Sequence, residues 1–277
     1  YNRADMPLAS FQQHADNDVF ISYESGGEVR NYTDIPATTS FPKDSLRMGL
    51  TVEKQKELIH GYYAAISYVD AQVGLLLNTL DSLGTLQNTV IVLWGDHGWH
   101  LGDHDMWGKH TNFEQATRSP LIFAAPGMKG GATTSLSEHV DVFPTICDLA
   151  GVPIPEKLQG KSLKPLMQNK KAIVKEYAMS QYPRKLSSEE VKKMGYNNRK
   201  LMGYSLRTSQ YRYTLWLNND FRSTQPYDES RVYASQLFDY VNDPLEKVNV
   251  AEDKAYKSIA ADLKQKLVEY FKANEQK

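Results

Sequence analysis

One stretch of the chain places polar side chains at a spacing that suits chemistry. The apolar run 89–94 ends at Gly95, and Asp96 and His97 follow directly. Buried strands of open α/β sheets deliver their carboxyl ends into clefts, so polar groups placed there are often functional. A carboxylate beside an imidazole can bind a divalent metal, since hard ions favour the first and zinc-like ions the second. Asp-His pairs are common in proteins, so this spacing alone leaves both a metal site and an ordinary polar loop open.

Lys109 follows Asp96 by thirteen residues and adds a cation to the same segment. An ammonium is a compact donor for a tetrahedral oxyanion such as phosphate or sulfate. A metal and a lysine together can hold and polarise such a group. His100 and His104 are four residues apart, a spacing that can build a zinc site on a helix. Glycines at 98 and 102 disfavour a helix there, so we expect His104 to bond the loop backbone instead.

Composition excludes several classes of protein. The chain has 277 residues, a formal net charge of −1 and a single cysteine, Cys147. This charge gives no global field to attract nucleic acid, and no apolar run approaches the ~20 residues that span a bilayer. One cysteine excludes an internal disulfide bond. At roughly 150 residues a domain, the length predicts about two domains.

The pattern along the chain predicts an α/β region followed by a smaller α+β region. Residues 1–50 have no periodic signal and are expected to form a surface arm. Thr51 can cap a helix that ends at Gly84, and apolar strands are predicted at 89–94 and 120–125. Prolines at 153, 155 and 165 mark a boundary, which gives a first domain of 1–165 and a second of 166–277. In the second, strands are predicted at 173–179, 203–207, 211–217 and 236–240, with a final helix over about 252–273.

Several motifs resemble those of the type I sulfatases of the alkaline-phosphatase superfamily, and they occur in the order in which that family has them. They are GDHGWHLGDHDMWGKHTNFEQATRSPLIF at 95–123, HVDVFPTICDLAGVPIP at 139–155 and LFDYVNDPLEKVN at 237–249. The segments SYVDAQVG at 67–74, SQYPR at 180–184 and MGYSLRTSQYRYTLW at 202–216 are most similar to the iduronate-2-sulfatase branch. The resemblance covers most of the chain between about residues 50 and 250.

The resemblance implies a fold, an activity and a set of site residues. The fold would be part of an alkaline-phosphatase-like sheet sandwiched by helices, followed by a small antiparallel α+β C-terminal subdomain. The activity would be hydrolysis of sulfate esters on a glycosaminoglycan or a related sulfated polysaccharide. Such enzymes are periplasmic, extracellular or lysosomal. By resemblance, Asp96 and His97 would ligate the active-site calcium, Lys109 would contact the sulfate ester near its leaving oxygen, and Trp99, His100 and His110 would line the sugar pocket.

The nucleophile of the family has no counterpart in this sequence. Type I sulfatases make a formylglycine from the cysteine or serine of a Cys/Ser-x-Pro/Ala-x-Arg motif, and neither Cys147 nor Ser180 lies in one. The paired aspartates that complete the calcium site in the family are also missing. We therefore expect a C-terminal portion of a sulfatase that is inactive alone. Its partner would be the N-terminal half of the same enzyme or a second copy, covering apolar area on the 51–83 helix and the two strands.

Two other functions remain open at this point. A metal-dependent phosphohydrolase of the same superfamily would bind zinc through an Asp-His pair. A non-catalytic chain would only bind a sulfated sugar or stabilise a partner. The sequence motifs after residue 139 favour the sulfatase.

Overall fold

The computed structural model describes residues 1–24, 27–35, 49–220 and 227–274. Six α-helices lie in these residues: α1 Val52–Ser82, α2 Glu114–Thr117, α3 Val142–Ala150, α4 Lys164–Gln168, α5 Ser188–Met194 and α6 Lys257–Asn274. The eight described strands are β1 Ile91–Trp94, β2 His100–Leu101, β3 Trp107–Gly108, β4 Leu121–Ala124, β5 Ala178–Lys185, β6 Lys200–Arg207, β7 Tyr211–Leu217 and β8 Val232–Asp239. None of the described helices is both long and apolar enough to cross a membrane.

The strand β1 ends where the chemistry-bearing loop begins. It pairs antiparallel with β4, with Ile91 opposite Ala124 and Trp94 opposite Leu121. The backbone N–H of Gly95 donates to the carbonyl of Pro120 at 2.9 Å, which extends the pairing to the first residue of the loop. The strands predicted at 89–94 and 120–125 are therefore confirmed, and the start of the loop is anchored.

A two-residue hairpin, β2 and β3, closes the loop. His100 pairs with Gly108 and Leu101 with Trp107. The hairpin therefore brings Gly108, the residue before Lys109, back beside His100. Gly102 has φ +104°, a backbone conformation that glycine adopts without strain. This hairpin sets how far Lys109 lies from the Asp-His pair.

The C-terminal half is a four-stranded antiparallel sheet in the order β5-β6-β7-β8, covered by α6. Apolar side chains of the helix, Leu263, Leu267 and Phe271, pack on those of the sheet in one buried cluster. Burying one such side chain contributes about 1.5–3 kcal/mol. The strands predicted at 203–207, 211–217 and 236–240 and the final helix are confirmed within a few residues at their ends.

The first sheet strand of this half differs from its prediction. It runs from Ala178 to Lys185, whereas the sequence pattern predicted 173–179. Pro183 lies inside it, and proline in a run argues against a central strand. Because β5 is the edge strand of the sheet, the missing N–H of Pro183 costs no ladder bond. The edge position explains why the prediction failed.

The N-terminal segment is not the surface arm that the sequence predicted. Met6, Val29 and Ile35 are buried in one cluster with Ile59 and Trp107. A second cluster joins the segment to both halves of the chain through the buried side chains of Ala15, Tyr23, Met106, Phe113 and Phe238. The buried apolar residues of the segment follow one another at irregular spacing, and only Val29 lies on a 3-10 turn, so no periodic signal reveals their burial.

One face of the first half is exposed and apolar. Of the 31 residues of α1, only Ile59 is buried, while Ile66 and Leu76 are 53% and 67% exposed. Trp94 on β1 and Ile122 on β4 are also exposed. The sequence prediction that this helix and these two strands carry uncovered apolar area is confirmed. Large exposed apolar areas often mark a surface that contacts another chain or segment.

Candidate functional site

Asp96 and His97 lie together at the carboxyl end of β1. Asp96 Oδ2 is 3.5 Å from His97 Nε2, and the Asp96 side chain is 85% exposed. His97 Nδ1 is 2.8 Å from the carbonyl of Gly98. A carbonyl only accepts, so Nδ1 carries the proton and Nε2 presents its lone pair beside the carboxylate. A backbone bond of this kind fixes the tautomer that binds a metal through Nε2.

Gly98 fixes this pair against the following helix. Its N–H donates to the carbonyl of Ala116 at 2.8 Å. A Cβ at this position would lie 1.9 Å from the backbone oxygen of Gln115, a distance that no side chain tolerates. Only glycine lets the loop approach α2 this closely, so the fold requires the glycine that follows Asp96 and His97.

Lys109 lies on the same side of the loop as His97. Its Nζ is 4.9 Å from the centre of the Trp99 ring, and the His97 and Trp99 rings are 6.3 Å apart. The ammonium also pairs with Glu28 Oε2 at 2.7 Å, and this contact holds the pKa of the Glu28 carboxyl below its usual range. His97 and Lys109 therefore both lie beside the Trp99 ring, with Asp96 next to His97. That the three side chains form one site stays a prediction.

His110 lines a cleft of about 690 Å³ between the loop and the C-terminal sheet. Its ring stacks on Tyr182 at 5.4 Å, and the Arg184 guanidinium lies 4.6 Å from the Tyr182 ring centre. Arg184 Nη2 donates to the His110 carbonyl at 2.5 Å, and its Nε donates to the Ile21 carbonyl at 3.0 Å. Arg184 thus joins the edge strand, the loop and the N-terminal segment at one point.

Glu24 is a buried carboxyl group in the wall of this cleft. Its Oε2 lies 3.4 Å from His110 Nδ1, and only 8% of its side chain is exposed. Burial raises its pKa to about 7, partly offset by the positive charge of Arg184. Gly108 has φ +145°, and a Cβ there would lie 2.1 Å from Glu24 Oε1. The Gly-Lys-His sequence therefore needs its glycine to admit the carboxylate.

His100 does not lie where the resemblance implied. It is fully buried, and its Nε2 is 2.9 Å from the Thr111 hydroxyl. Burial lowers its pKa to about 3, and burial likewise lowers the pKa of His104 to about 4. His104 packs on Phe113 with ring centres 4.5 Å apart, and its backbone N–H donates to the Phe11 carbonyl of the N-terminal segment. Neither ring nitrogen of His104 has a hydrogen-bond partner among the described residues, so the expected bond to the loop backbone is not found. Neither ring faces the cleft, so burial removes His100 from the residues available to a sugar.

A buried ion network holds the loop on the C-terminal sheet. Arg212 Nε is 3.1 Å from Glu246 Oε1, and its Nη2 is 2.5 Å from Glu114 Oε2. Glu246 Oε2 in turn accepts the backbone N–H of Glu114 at 3.0 Å, at the start of α2. The DPLEKVN segment thus contacts the helix against which the Asp-His-Gly turn packs.

Several residues of the site gave no signal in the sequence. Glu24 and Glu28 lie in the N-terminal segment, more than 65 residues before the loop that they contact. Tyr182 and Arg184 lie in a segment that carried the family resemblance but no assigned role. Contacts at such separations follow from the fold, and no local spacing reveals them.

The donor set fits part of a metal site. A carboxylate oxygen and an unprotonated imidazole nitrogen, held side by side, are two suitable ligands. Among the described residues, no group of three or more His, Cys, Asp or Glu side chains could hold a metal ion. Calcium usually takes 6–8 oxygen ligands, so Asp96 and His97 could supply only part of such a site.

Two protein families match the sequence. The sulfatase family matches residues 8–152, and the family described as N-sulphoglucosamine sulphohydrolase, C-terminal, matches residues 102–273. Iduronate 2-sulfatase of Mus musculus is 32% identical over 296 residues, covering 88% of this chain and 52% of that protein. N-acetylglucosamine-6-O-sulfatase of Bacteroides thetaiotaomicron is 42% identical over 118 residues, covering 42% and 21%. The chain spans about half the length of the iduronate 2-sulfatases it matches.

Solved structures share the fold. One, described as a complex with its substrate D-glucosamine-2-N,6-O-disulfate, has a TM-score of 0.65 at 28% identity, covering 90% of this chain and 45% of that one. A phosphonate monoester hydrolase from Silicibacter pomeroyi has a TM-score of 0.70 at 25% identity, covering 99% and 52%. The predicted alkaline-phosphatase-like α/β fold is thereby confirmed. Since each family match spans more than half of the residues, the chain belongs to the sulfatase family, in its type I, iduronate-2-sulfatase-like branch.

Proposed function

We propose that the protein of which these 277 residues are a part hydrolyses sulfate esters of a glycosaminoglycan or a related sulfated polysaccharide. The observation that carries this proposal is the grouping of Asp96, His97 and Lys109 on one side of a single loop. Two possible metal ligands lie side by side, and a cation that can bind an oxyanion lies beside the same Trp99 ring as His97. The names of the similar proteins, iduronate 2-sulfatase and N-acetylglucosamine-6-O-sulfatase, support a sugar as the alcohol part.

Each residue of the loop has a separate role in this proposal. Asp96 and His97 would hold a divalent metal, calcium by family resemblance, and the Gly98 carbonyl keeps the His97 imidazole in the tautomer that leaves Nε2 free to bind it. When bound, the metal supplies positive charge that polarises the sulfate oxygens. Lys109 binds a sulfate oxygen near the leaving group and stabilises the charge that develops there. Trp99 and His110 lie on either side and contact the sugar.

The nucleophile belongs to a segment outside these residues. The sequence contains no Cys/Ser-x-Pro/Ala-x-Arg motif from which a formylglycine is made. The remaining oxygen ligands of the metal are assigned to the same segment, since Asp96 and His97 are too few. We therefore infer that the 277 residues alone do not turn over substrate and bind calcium weakly.

The exposed apolar face of α1, β1 and β4 is the surface on which we place that segment or, failing it, a second copy of the chain. Uncovering even about 1,000 Å² of apolar area costs on the order of 25 kcal/mol at roughly 25 cal/mol per Å². This exceeds the ~5–15 kcal/mol net stability of a domain. As for its place in the cell, we propose a periplasmic, extracellular or lysosomal protein.

The shared fold also leaves a second candidate, a metal-dependent phosphohydrolase. The observation in its favour is the TM-score of 0.70 with a phosphonate monoester hydrolase. The test measures kcat/KM of the native protein, with all of its segments, on a sulfated glycosaminoglycan disaccharide and on a phosphonate monoester. We expect the sulfated disaccharide to be preferred by at least tenfold. A preference for the phosphonate ester would overturn the sulfatase proposal in favour of the phosphohydrolase.

A further inference from the structure

Two lysines face each other at the end of the cleft that His110 lines. Lys185 is the last residue of β5 and Lys200 the first of β6, and the strand register places them directly opposite. Both belong to the cleft lining and both are exposed. Opposed residues of antiparallel strands point to the same face, with Cβ atoms about 4.5–5.5 Å apart, and like charges there are destabilising.

The neighbourhood of this lysine pair compensates only one of the two charges. Lys200 forms an ion pair with Asp220, which also lines the cleft. Lys185 has no ion pair or hydrogen bond within the part of the chain that the structure describes. Arg184 is occupied, because its guanidinium donates to the carbonyls of Ile21, Ser22 and His110. The uncompensated positive charge of the cleft is therefore that of Lys185, with Lys200 beside it.

Edge protection does not account for the pair. A lysine on an edge strand discourages edge-to-edge pairing, and Lys185 on β5 could serve in that way. Lys200 lies on β6, an inner strand, where no free edge needs protection. A second lysine opposite the first adds repulsion without adding protection. A bound anion would remove that repulsion.

The position of the pair relative to the loop identifies the class of anion. His110, Tyr182, Pro183 and Lys185 all line this cleft. A strand rises about 3.3 Å per residue, so Lys185 lies about 10 Å along β5 from Tyr182. This is farther than one sugar ring spans. An anion held at Lys185 therefore belongs to a different sugar unit from the one whose ester lies at Lys109.

We propose that Lys185 and Lys200 bind a carboxylate or sulfate of a neighbouring sugar unit, and so select an extended polyanionic chain as the substrate. The inference rests on the proposed function, since it takes the sulfate ester at Lys109 as the other end of the bound chain. Lys109 acts on the reacting group, whereas Lys185 and Lys200 act on affinity and specificity alone.

The test compares two substrates on the native protein. The first is a sulfated glycosaminoglycan tetrasaccharide, and the second is an aryl sulfate whose only charge is the reacting ester. In the double variant Lys185→Gln/Lys200→Gln, we expect KM for the tetrasaccharide to rise at least tenfold, with kcat within twofold. We expect kcat and KM for the aryl sulfate to stay unchanged. Lys257→Gln, an exposed lysine outside the cleft, is the matched control and should leave both substrates unaffected.

Two further variants make the outcome specific. Lys185→Arg/Lys200→Arg keeps both charges and should keep KM for the tetrasaccharide near the wild-type value. A carboxyl-reduced tetrasaccharide separates the two anions: a KM already high in the wild type identifies a carboxylate, and an unchanged one a sulfate. Thermal melting of the glutamine variant should change little, because the like-charge pair and the exposed Lys200–Asp220 ion pair are removed together.

The possible failures differ from one another. If the double variant keeps the wild-type KM for the tetrasaccharide while sulfate is still released, the lysine pair does not bind substrate, and the inference is overturned alone. If KM rises equally for the aryl sulfate, the pair acts on the reacting end, which also overturns it. If the wild type releases sulfate from neither substrate, the proposed function fails, and the inference fails with it.

Discussion

At the scale of single residues, Lys109 is held between a carboxylate and an indole ring. Glu28 pairs with its ammonium at 2.7 Å, while the Trp99 ring lies 4.9 Å from the same nitrogen. A sulfate ester that binds Lys109 has to share this ammonium with Glu28. The carboxylate is 39% exposed, so a substrate anion can reach the pair from solvent.

The competition between Glu28 and substrate can be measured. In Glu28→Gln the Lys109 ammonium still has a side chain of similar size beside it, but the negative charge that competes with the substrate is gone. We expect KM for a sulfated substrate to fall about three- to tenfold, since charged hydrogen bonds contribute roughly 1.5–3 kcal/mol and only part of this is lost on exchange. Glu57→Gln, an exposed carboxylate in an ion pair with Lys54, is the control and should leave KM unchanged. A higher KM in Glu28→Gln would mean that Glu28 orients Lys109 for binding.

The buried histidines make stability depend on pH. Burial holds the pKa of His100 at about 3 and that of His104 at about 4, below the ~6.5 of an unfolded chain. Between these values the unfolded state binds more protons, so stability is full above pH ~6.5 and falls as the pH is lowered. At pH 5 each histidine costs about 2 kcal/mol.

Chemical denaturation at pH 7.5 and at pH 5 measures this loss. His104→Leu removes one titrating group and should lose about 2 kcal/mol less than the wild type over this interval. His60→Gln, at a histidine outside the buried aromatic cluster, is the control and should keep the wild-type slope. Equal slopes for the wild type and His104→Leu would show that His104 is not the buried neutral group described here.

The sequence indicated the candidate site residues that lie close together along the chain, and it missed those that reach the loop from distant segments. Asp96, His97 and Lys109 lie on one loop between apolar strands, where local spacing carries the information. Glu28 and Arg184 reach the same loop from distant segments, so only the fold reveals them. His100 was expected in the sugar pocket, but the pairing of its residue with Gly108 in the hairpin turns its ring into the interior.

At the scale of elements, the 96–110 loop is held by an ion network in which Arg212 and Glu246 are buried and Glu114 is partly buried. Arg212 on β7 binds both Glu114 of α2 and Glu246 of the DPLEKVN segment. Glu246 is fully buried and also accepts the hydroxyl of Tyr240 at 2.5 Å. Without the Glu246 side chain, the buried Arg212 keeps only the Glu114 carboxylate as an ion partner, and the backbone N–H of Glu114 loses its hydrogen-bond acceptor.

Removing Glu246 should therefore destabilise the whole loop. We expect Glu246→Ala to lower the free energy of unfolding by about 3–5 kcal/mol, the usual cost of breaking a buried ion pair from one side. Glu229→Ala removes an exposed partner of Lys264 and should cost at most ~1 kcal/mol. Equilibrium denaturation in urea measures both. Similar small losses in the two variants would contradict the role of the network in holding α2.

Periodic elements were predictable, and irregular ones were not. The α1 helix begins after Thr51, whose hydroxyl accepts the N–H of Lys54, as the capping pattern predicted. The edge strand β5 was predicted too early in the sequence, because Pro183 argues against a strand at its true position. The N-terminal segment buries apolar residues at irregular spacing, a pattern with no period to detect. The domain boundary near residue 165 stays a prediction.

At the scale of the whole molecule, the exposed apolar face requires a cover. The isolated 277-residue polypeptide should self-associate through α1, β1 and β4, which sedimentation velocity detects as species larger than 31.4 kDa. Replacing two exposed residues of the face, Ile66→Glu and Ile122→Glu, should shift the distribution towards monomer. Val241→Glu, at an exposed apolar residue beside β8, is the control and should have no such effect. A wild-type chain that stays monomeric at high concentration would contradict the need for a cover.

Sulfate release by the native protein tests most directly whether the 96–110 loop performs the chemistry. The measurement is the rate of sulfate release from a sulfated glycosaminoglycan oligosaccharide by the wild type, Asp96→Ala, Lys109→Gln and Lys129→Gln. We expect the wild type and the exposed control Lys129→Gln to release sulfate equally, and the two loop variants to be slower by about 10²–10³-fold. Unchanged sulfate release in Asp96→Ala and Lys109→Gln would show that the reaction takes place elsewhere.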